Sequence, residues 1–209
     1  FDWMQFNLFL MRKRFGESAR KAIAIDASYI SKSGKKTPYI GKFWSECASA
    51  MKRGLEILGI GIIDIDSRDC MMVRAEQMPD KAYLEKQGED YNLVDWYLDV
   101  LRKYKDKLLR ITRYVVADAW FSKAKFVGEA CLLGFHVISR LRDDAALWYA
   151  HDGVRTGKRG RPRIKGEKIV FEKLDLQRCE ILDIEGGKAY SVKAYSKAMK
   201  RNIKVVVHY

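Results

Sequence analysis

The sequence predicts an α/β fold, a mixed sheet with flanking helices followed by a β-rich stretch, and three observations carry that prediction. Short apolar runs over 21–26, 56–65, 70–78, 111–118 and 135–139 read as strands. Apolar residues switch to helical spacing over 92–108 and again over 123–133. Beyond Arg140 the helical period fades, and short apolar segments alternate with polar turns.

Residues 1–20 form a separate N-terminal segment, helical or irregular, with apolar residues scattered among bases over 6–20. Ala22-Ile23-Ala24-Ile25 is a buried strand ending at Asp26, and 31–38 is a loop by composition. The Ile-rich segment Glu56 to Ile65 and the segment Cys70 to Met78 flank Asp66-Ser67-Arg68-Asp69, so they pair as an antiparallel hairpin. Over 92–108, Leu93, Val94, Tyr97, Val100, Leu101, Tyr104 and Leu108 mark one helical face. Asn92 is the expected N-cap, with Asp95 three residues on. Tyr114-Val115-Val116-Ala117 is a strand ending at Asp118. Ser122 is expected to cap the next helix and Gly134 to end it. The strand–helix–strand order from 111 to 139 requires parallel, right-handed crossovers. Residues 21–139 therefore read as one core. Residues 140–209 read as a β-rich unit with strands at 168–174, 178–184, 189–194 and 203–209, the last expected to return to the first sheet.

Composition narrows the function. The 209 residues are 48% hydrophobic and 32% charged, which describes a folded chain rather than a disordered one. No run approaches the ~18 apolar residues of a membrane span. The opening Phe1-Asp2-Trp3-Met4 has neither the basic start of a signal peptide nor an initiator Met, so a piece of a longer protein is expected. Cys47, Cys70, Cys131 and Cys179 are widely spaced, the pattern of reduced cytosolic thiols. Net charge is +13 and clustered: 155–168 holds seven bases and one acid, and 188–204 holds six bases and no acid. Clustered bases favour a polyanion, because each neutralised phosphate releases counterions.

Two carboxylates stand out. Asp26 and Asp118 each follow an apolar strand; if those strands are parallel neighbours, both emerge at one sheet edge, where open α/β sheets form their sites. Two carboxylates held together repel unless a cation separates them, and oxygen ligands suit Mg²⁺ or Mn²⁺. Asp64, Asp66 and Asp69 are expected to be turn residues. His136, His151 and His208 share no metal-ligand spacing. Trp120 is expected in the core, and Tyr190 and Tyr195 in strand packing. Arg-Gly-Arg-Pro within 157–163 suits a basic loop meeting phosphates or a narrow minor groove.

The segment from Ala24 to Thr37, extended by Phe43-Trp44-Ser45 and Lys52-Arg53-Gly54-Leu55-Glu56, resembles the first-aspartate segment of IS4-type insertion-sequence DDE transposases. Tyr114 to Ser122 resembles their second-aspartate segment, and the separation of 92 residues suits that family. The resemblance covers roughly 22–209. It implies a ribonuclease-H-like mixed sheet with flanking helices, interrupted by a β-rich insertion. The implied activity is DNA strand cleavage by water, then attack of the freed 3′-hydroxyl on target DNA, with two Mg²⁺ or Mn²⁺ ions in the complete site. Asp26 and Asp118 would be catalytic residues and metal ligands. Lys32, Lys35 and Lys36 beside the first Asp, and Lys158, Arg159, Arg161 and Arg163 in the insertion, would be DNA contacts.

The family's third acid, a Glu in a Tyr-x₂-Arg-x₃-Glu-x₆-Lys pattern, has no counterpart. Glu167 follows Arg163 by four residues, but Gly160 and Leu174 stand where Tyr and Lys should. Truncation before that residue, and an incomplete site, are the expectation. The implied partners are double-stranded DNA at transposon ends and target, with a homo-oligomer on DNA and no membrane. The implied location is the cytoplasm of a bacterium, at the nucleoid. A ribonuclease-H-like nuclease that does not join ends, and an inactive DNA-binding remnant, are the alternatives.

Overall fold

A computed structural model describes residues 1–209 except 35, 143, 152, 154–163 and 209. The chain forms two compact units, Phe1–Arg140 and Leu141–Tyr209. The elements of the first are α1 (Trp3–Arg14), β1 (Lys21–Ser31), β2 (Gly41–Ser45), β3 (Ala50–Asp64), β4 (Asp69–Gln77), α2 (Lys81–Gln87), α3 (Leu93–Leu109), β5 (Tyr114–Ala117), α4 (Ala124–Leu132) and β6 (His136–Ser139). The second holds β7 (Leu147–Ala150), β8 (Lys165–Lys168), β9 (Glu180–Ile184), β10 (Gly187–Ser196) and β11 (Arg201–His208).

The first sheet runs β2-β3-β1-β5-β6, with β4 also on β3. β1 is antiparallel to β3 and parallel to β5, and β5 is parallel to β6. This is a mixed α/β sheet with flanking helices, and the second unit adds a β-rich sheet, as a ribonuclease-H-like fold with an insertion requires. The β3–β4 hairpin forms as its turn chemistry predicts.

Asn92 caps α3 in a capping box: its side chain accepts from Val94 N–H, and its own N–H donates to Asp95. The helix buries Val94, Tyr97, Leu98, Leu101 and Leu108 in one core with Ile23, Ile60, Ile62, Val115 and Phe126. α3 packs on α4, α4 on β6, and α1 on β4. Gly134 ends α4 at a φ of +99°, a conformation few other residues take.

Several expectations need correction. β1 does not stop at Asp26; it runs to Ser31 as an antiparallel ribbon with β3, which itself starts at Ala50. Such a ribbon can keep one face in water, so its far end lacks the unbroken apolar run that marked 21–25. Ser122 does not cap α4. Lys123 occupies the N-cap position without a side-chain hydrogen bond, and Ser122 Oγ instead meets Ser139 Oγ at 2.7 Å. Residues 168–174 hold only the end of β8 and a 3₁₀ turn at Phe171–Lys173. β11 pairs with β10 in the second sheet and does not return to the first. β2, α2 and β7 carried no clear period; they are five, seven and four residues long.

Candidate active site

The β1–β5 register aligns Ile23 with Val115 and Ala24 with Val116. That offset of 92 residues, continued along both strands, sets Asp26 level with Asp118. The pairing stops at Ala24 because β5 ends at Ala117, whereas β1 continues. Asp26 is thus a mid-strand residue, hydrogen-bonded through its strand to β3 on one side and open on the other. Asp118 leaves β5 and caps a 3₁₀ turn, Ala119–Phe121. Its Oδ1 accepts from Trp120 N–H at 3.0 Å, and its carbonyl accepts from Ser139 Oγ at 2.6 Å. Both carboxylates are exposed and line one cleft of about 1110 Å³.

That cleft contains a third acid that sequence reasoning left without a role. Glu56 of β3 accepts from Tyr97 Oη at 2.9 Å. Burial pushes its carboxyl above the usual range, and the Tyr97 hydrogen bond opposes the rise. Burial likewise raises the Tyr97 phenol, and the charges of Glu56, Asp118 and Asp26 add to the shift. The signal in the sequence was a lone Glu beside an Ile-rich run. Trp120 corrects another expectation. It is 38% exposed and lines the cleft, with its ring edge-on to Tyr97 at 5.5 Å. Lys123 Nζ stands 3.2 Å from the centre of the Trp120 ring. Burial lowers its ammonium pKa, and Asp118 opposes that fall.

Other candidates lie elsewhere. Lys32 and Lys36 are exposed in the loop after β1 and do not line the cleft; Lys42 and Lys81 do. Lys35, Lys158, Arg159, Arg161 and Arg163 lie outside the described residues. Asp64, Asp66 and Asp69 hold the β3–β4 hairpin turn: Asp64, the last residue of β3, accepts from Asp66 and Ser67 N–H, Asp66 in the turn pairs with Arg20, and Asp69, the first residue of β4, pairs with Arg14.

The expectation of two Mg²⁺ or Mn²⁺ ions is overturned. Among the described residues no group of three or more His, Cys, Asp or Glu side chains is placed to hold a metal ion. Asp26 and Asp118 supply two carboxylates, and Glu56 is turned to Tyr97, so the donor set falls short of what a pair of hard cations takes.

Comparisons with curated proteins and with solved structures gave no match. A family model described as DDE superfamily endonuclease matches residues 1–185. With its first sheet and most of its length inside that match, the chain belongs to the DDE superfamily endonucleases.

Proposed function

We propose that the chain acts on double-stranded DNA as an IS4-type transposase domain, cutting a strand at the cleft and passing the freed end to a target. The observation that carries this reading is the level placement of Asp26 and Asp118 on adjacent parallel strands, at one cleft. In the first step water oxygen bonds to phosphorus as the bond from phosphorus to the 3′ oxygen breaks, leaving a 3′-hydroxyl. In the second that hydroxyl attacks a target phosphodiester and displaces another 3′ oxygen. Each step needs a group to take the proton of the attacking oxygen, and a carboxylate at the sheet edge suits that task.

The net charge of +13 supports a polyanionic substrate. Lys42 on the cleft wall, Lys32 and Lys36 in the loop after β1, and the bases of 158–163 are the residues we assign to phosphates. Assembly of a homo-oligomer on DNA, at the nucleoid of a bacterial cytoplasm, belongs to the same proposal.

The test is nicking and strand transfer on supercoiled plasmid by the full-length protein that carries residues 1–209. Asp26→Asn and Asp118→Asn should each lower nicking on the order of 10²-fold or more with unchanged melting temperatures. Wild-type rates in both variants, or no nicking by the wild type, would overturn the reading. Nicked products without joined ends would point to a hydrolytic nuclease instead.

A further inference from the structure

The second sheet carries a feature that cleavage at the first does not use. Strand alternation separates two faces around Trp148 and Tyr195, although Ala189 and Ser191 of β10, which share the parity of Tyr195, are buried. Val192, Ala194, Ile203, Val205, Leu147 and Tyr149 pack into the core of the second unit. The opposite face carries the intervening residues. The registers Trp148↔Lys168, Tyr195↔Trp148 and Tyr195↔Asn202 set Lys168, Trp148, Tyr195 and Asn202 in one row across four strands. Two residues along lies a second row, with Lys165 opposite Ala150 and Lys193 opposite Lys204.

We propose that this outer face binds unpaired nucleic acid, with single-stranded DNA as the ligand class: bases stack on Trp148 and Tyr195, and phosphates meet Lys168 and Lys193. The two aromatic residues are direct cross-strand partners, which places their Cβ atoms about 4.5–5.5 Å apart. Both are half-buried, so each ring is supported from below and keeps a surface to solvent. Lys165 Nζ lies over the Trp148 ring, 4.4 Å from its centre, so a stacking base takes the place of the ammonium on that face or uses the other. Lys168, Lys193 and Lys204 are exposed.

The charge is complementary to a strand of phosphates. Glu180 pairs with Lys204 of the second row at 3.1 Å, which leaves Lys193 and Lys168 to meet phosphates. Across 141–209 there are sixteen Lys and Arg against nine Asp and Glu. An aromatic platform flanked by lysines is how sheets hold single strands without reading sequence. A duplex hides the faces of its bases and could meet only the lysines.

This inference goes beyond the cleavage reading and does not need it. The experiment is fluorescence anisotropy of a labelled 20-nucleotide oligo-dT, and of a duplex of equal length, titrated with the full chain at several salt concentrations. Single-strand binding should depend on Trp148, whereas duplex binding, which the proposed function gives to the cleft, should not. Trp148→Ala should weaken single-strand binding about tenfold and leave duplex binding unchanged, with Trp148→Phe restoring most of the loss.

Lys168→Ala with Lys193→Ala, both at exposed sites, should flatten the log–log salt slope by about 1.4, near 0.7 for each phosphate contact. An Asp26→Asn, Asp118→Asn double variant should keep wild-type affinity, which separates a failed cleft from a failed sheet. Wild-type single-strand affinity in a folded Trp148→Ala, an equal loss of duplex binding in that variant, or an unchanged salt slope would each overturn the proposal. So would phosphatidylglycerol vesicles binding through Trp148 where the oligonucleotide does not.

Discussion

Two glycines of β3, five residues apart, should respond in opposite ways to the same added methyl group. A Cβ at Gly54 would stand 2.3 Å from the carbonyl oxygen of Ile30 and 2.5 Å from a ring carbon of Tyr29. The first neighbour is backbone of β1. The second belongs to a ring whose hydroxyl donates to the Arg53 carbonyl at 2.7 Å, so it cannot simply swing aside. Overpacking of this kind costs about 1–3 kcal/mol, and a backbone clash belongs at the upper end. Against this, alanine in a strand interior recovers roughly 0.5–1 kcal/mol over glycine.

Gly54→Ala should therefore destabilise by about 2 kcal/mol, near 4–8 °C in melting temperature for a chain of this size. At Gly59 the same Cβ would meet the mobile Met72 Cε at 3.3 Å and the Asp26 carbonyl oxygen at 3.7 Å. Gly59→Ala should be neutral, or stabilising by up to about 0.5 kcal/mol. Thermal melts followed by circular dichroism, together with urea titrations, give both numbers. A Gly54→Ala protein that melts with the wild type, or a Gly59→Ala protein that melts below Gly54→Ala, would refute the β1–β3 packing described above.

Other perturbations test the frame around the cleft. Glu76 accepts from Arg74 Nε at 2.9 Å, from Lys103 Nζ at 3.1 Å and from Tyr104 Oη. Burial pushes its carboxyl up, but the hydrogen bonds of Tyr104, Lys103 and Arg74 outweigh it and hold the group below its ordinary 4.5. A carboxylate depressed by folding adds stability above its unfolded pKa and loses it as pH falls through the folded one. Glu76→Gln should accordingly cost about 1–2 kcal/mol at neutral pH, with the gap to wild type closing below about pH 4.5 in melts across that range. Asn92→Ala removes the acceptor of the α3 capping box and should cost about 1 kcal/mol in a urea titration. A cost no larger than that of an exposed mid-helix substitution would remove the cap from the account.

What could be read along the chain was what local chemistry alone dictates. The 3.6-residue period and the Asn92–Asp95 pair placed α3, turn residues placed the β3–β4 hairpin, and apolar runs placed the buried halves of β1 and β5. Asp26 and Asp118 were visible because each follows such a run, and family resemblance supplied the rest. The far half of β1 was not visible, since a ribbon solvated on one face needs no apolar run. Ser122 had the right chemistry for an N-cap, but its hydroxyl is held by Ser139, seventeen residues on.

Only the tertiary structure decided what surrounds the two aspartates. Glu56 lies thirty residues from Asp26, yet β3 pairing and the packing of α3 bring its carboxylate to Tyr97 in the same cleft. Trp120 read as core and turned out to wall the cleft, because burial depends on which neighbours cover a ring, not on the ring's own hydrophobicity. The row of Trp148 and Tyr195 likewise exists only through strand register across β7 and β10, residues forty-seven apart in sequence. Period and turn chemistry are short-range properties written into neighbouring residues. Register, cleft walls and the company of a carboxylate are long-range ones, set when distant strands pair and bury their shared face.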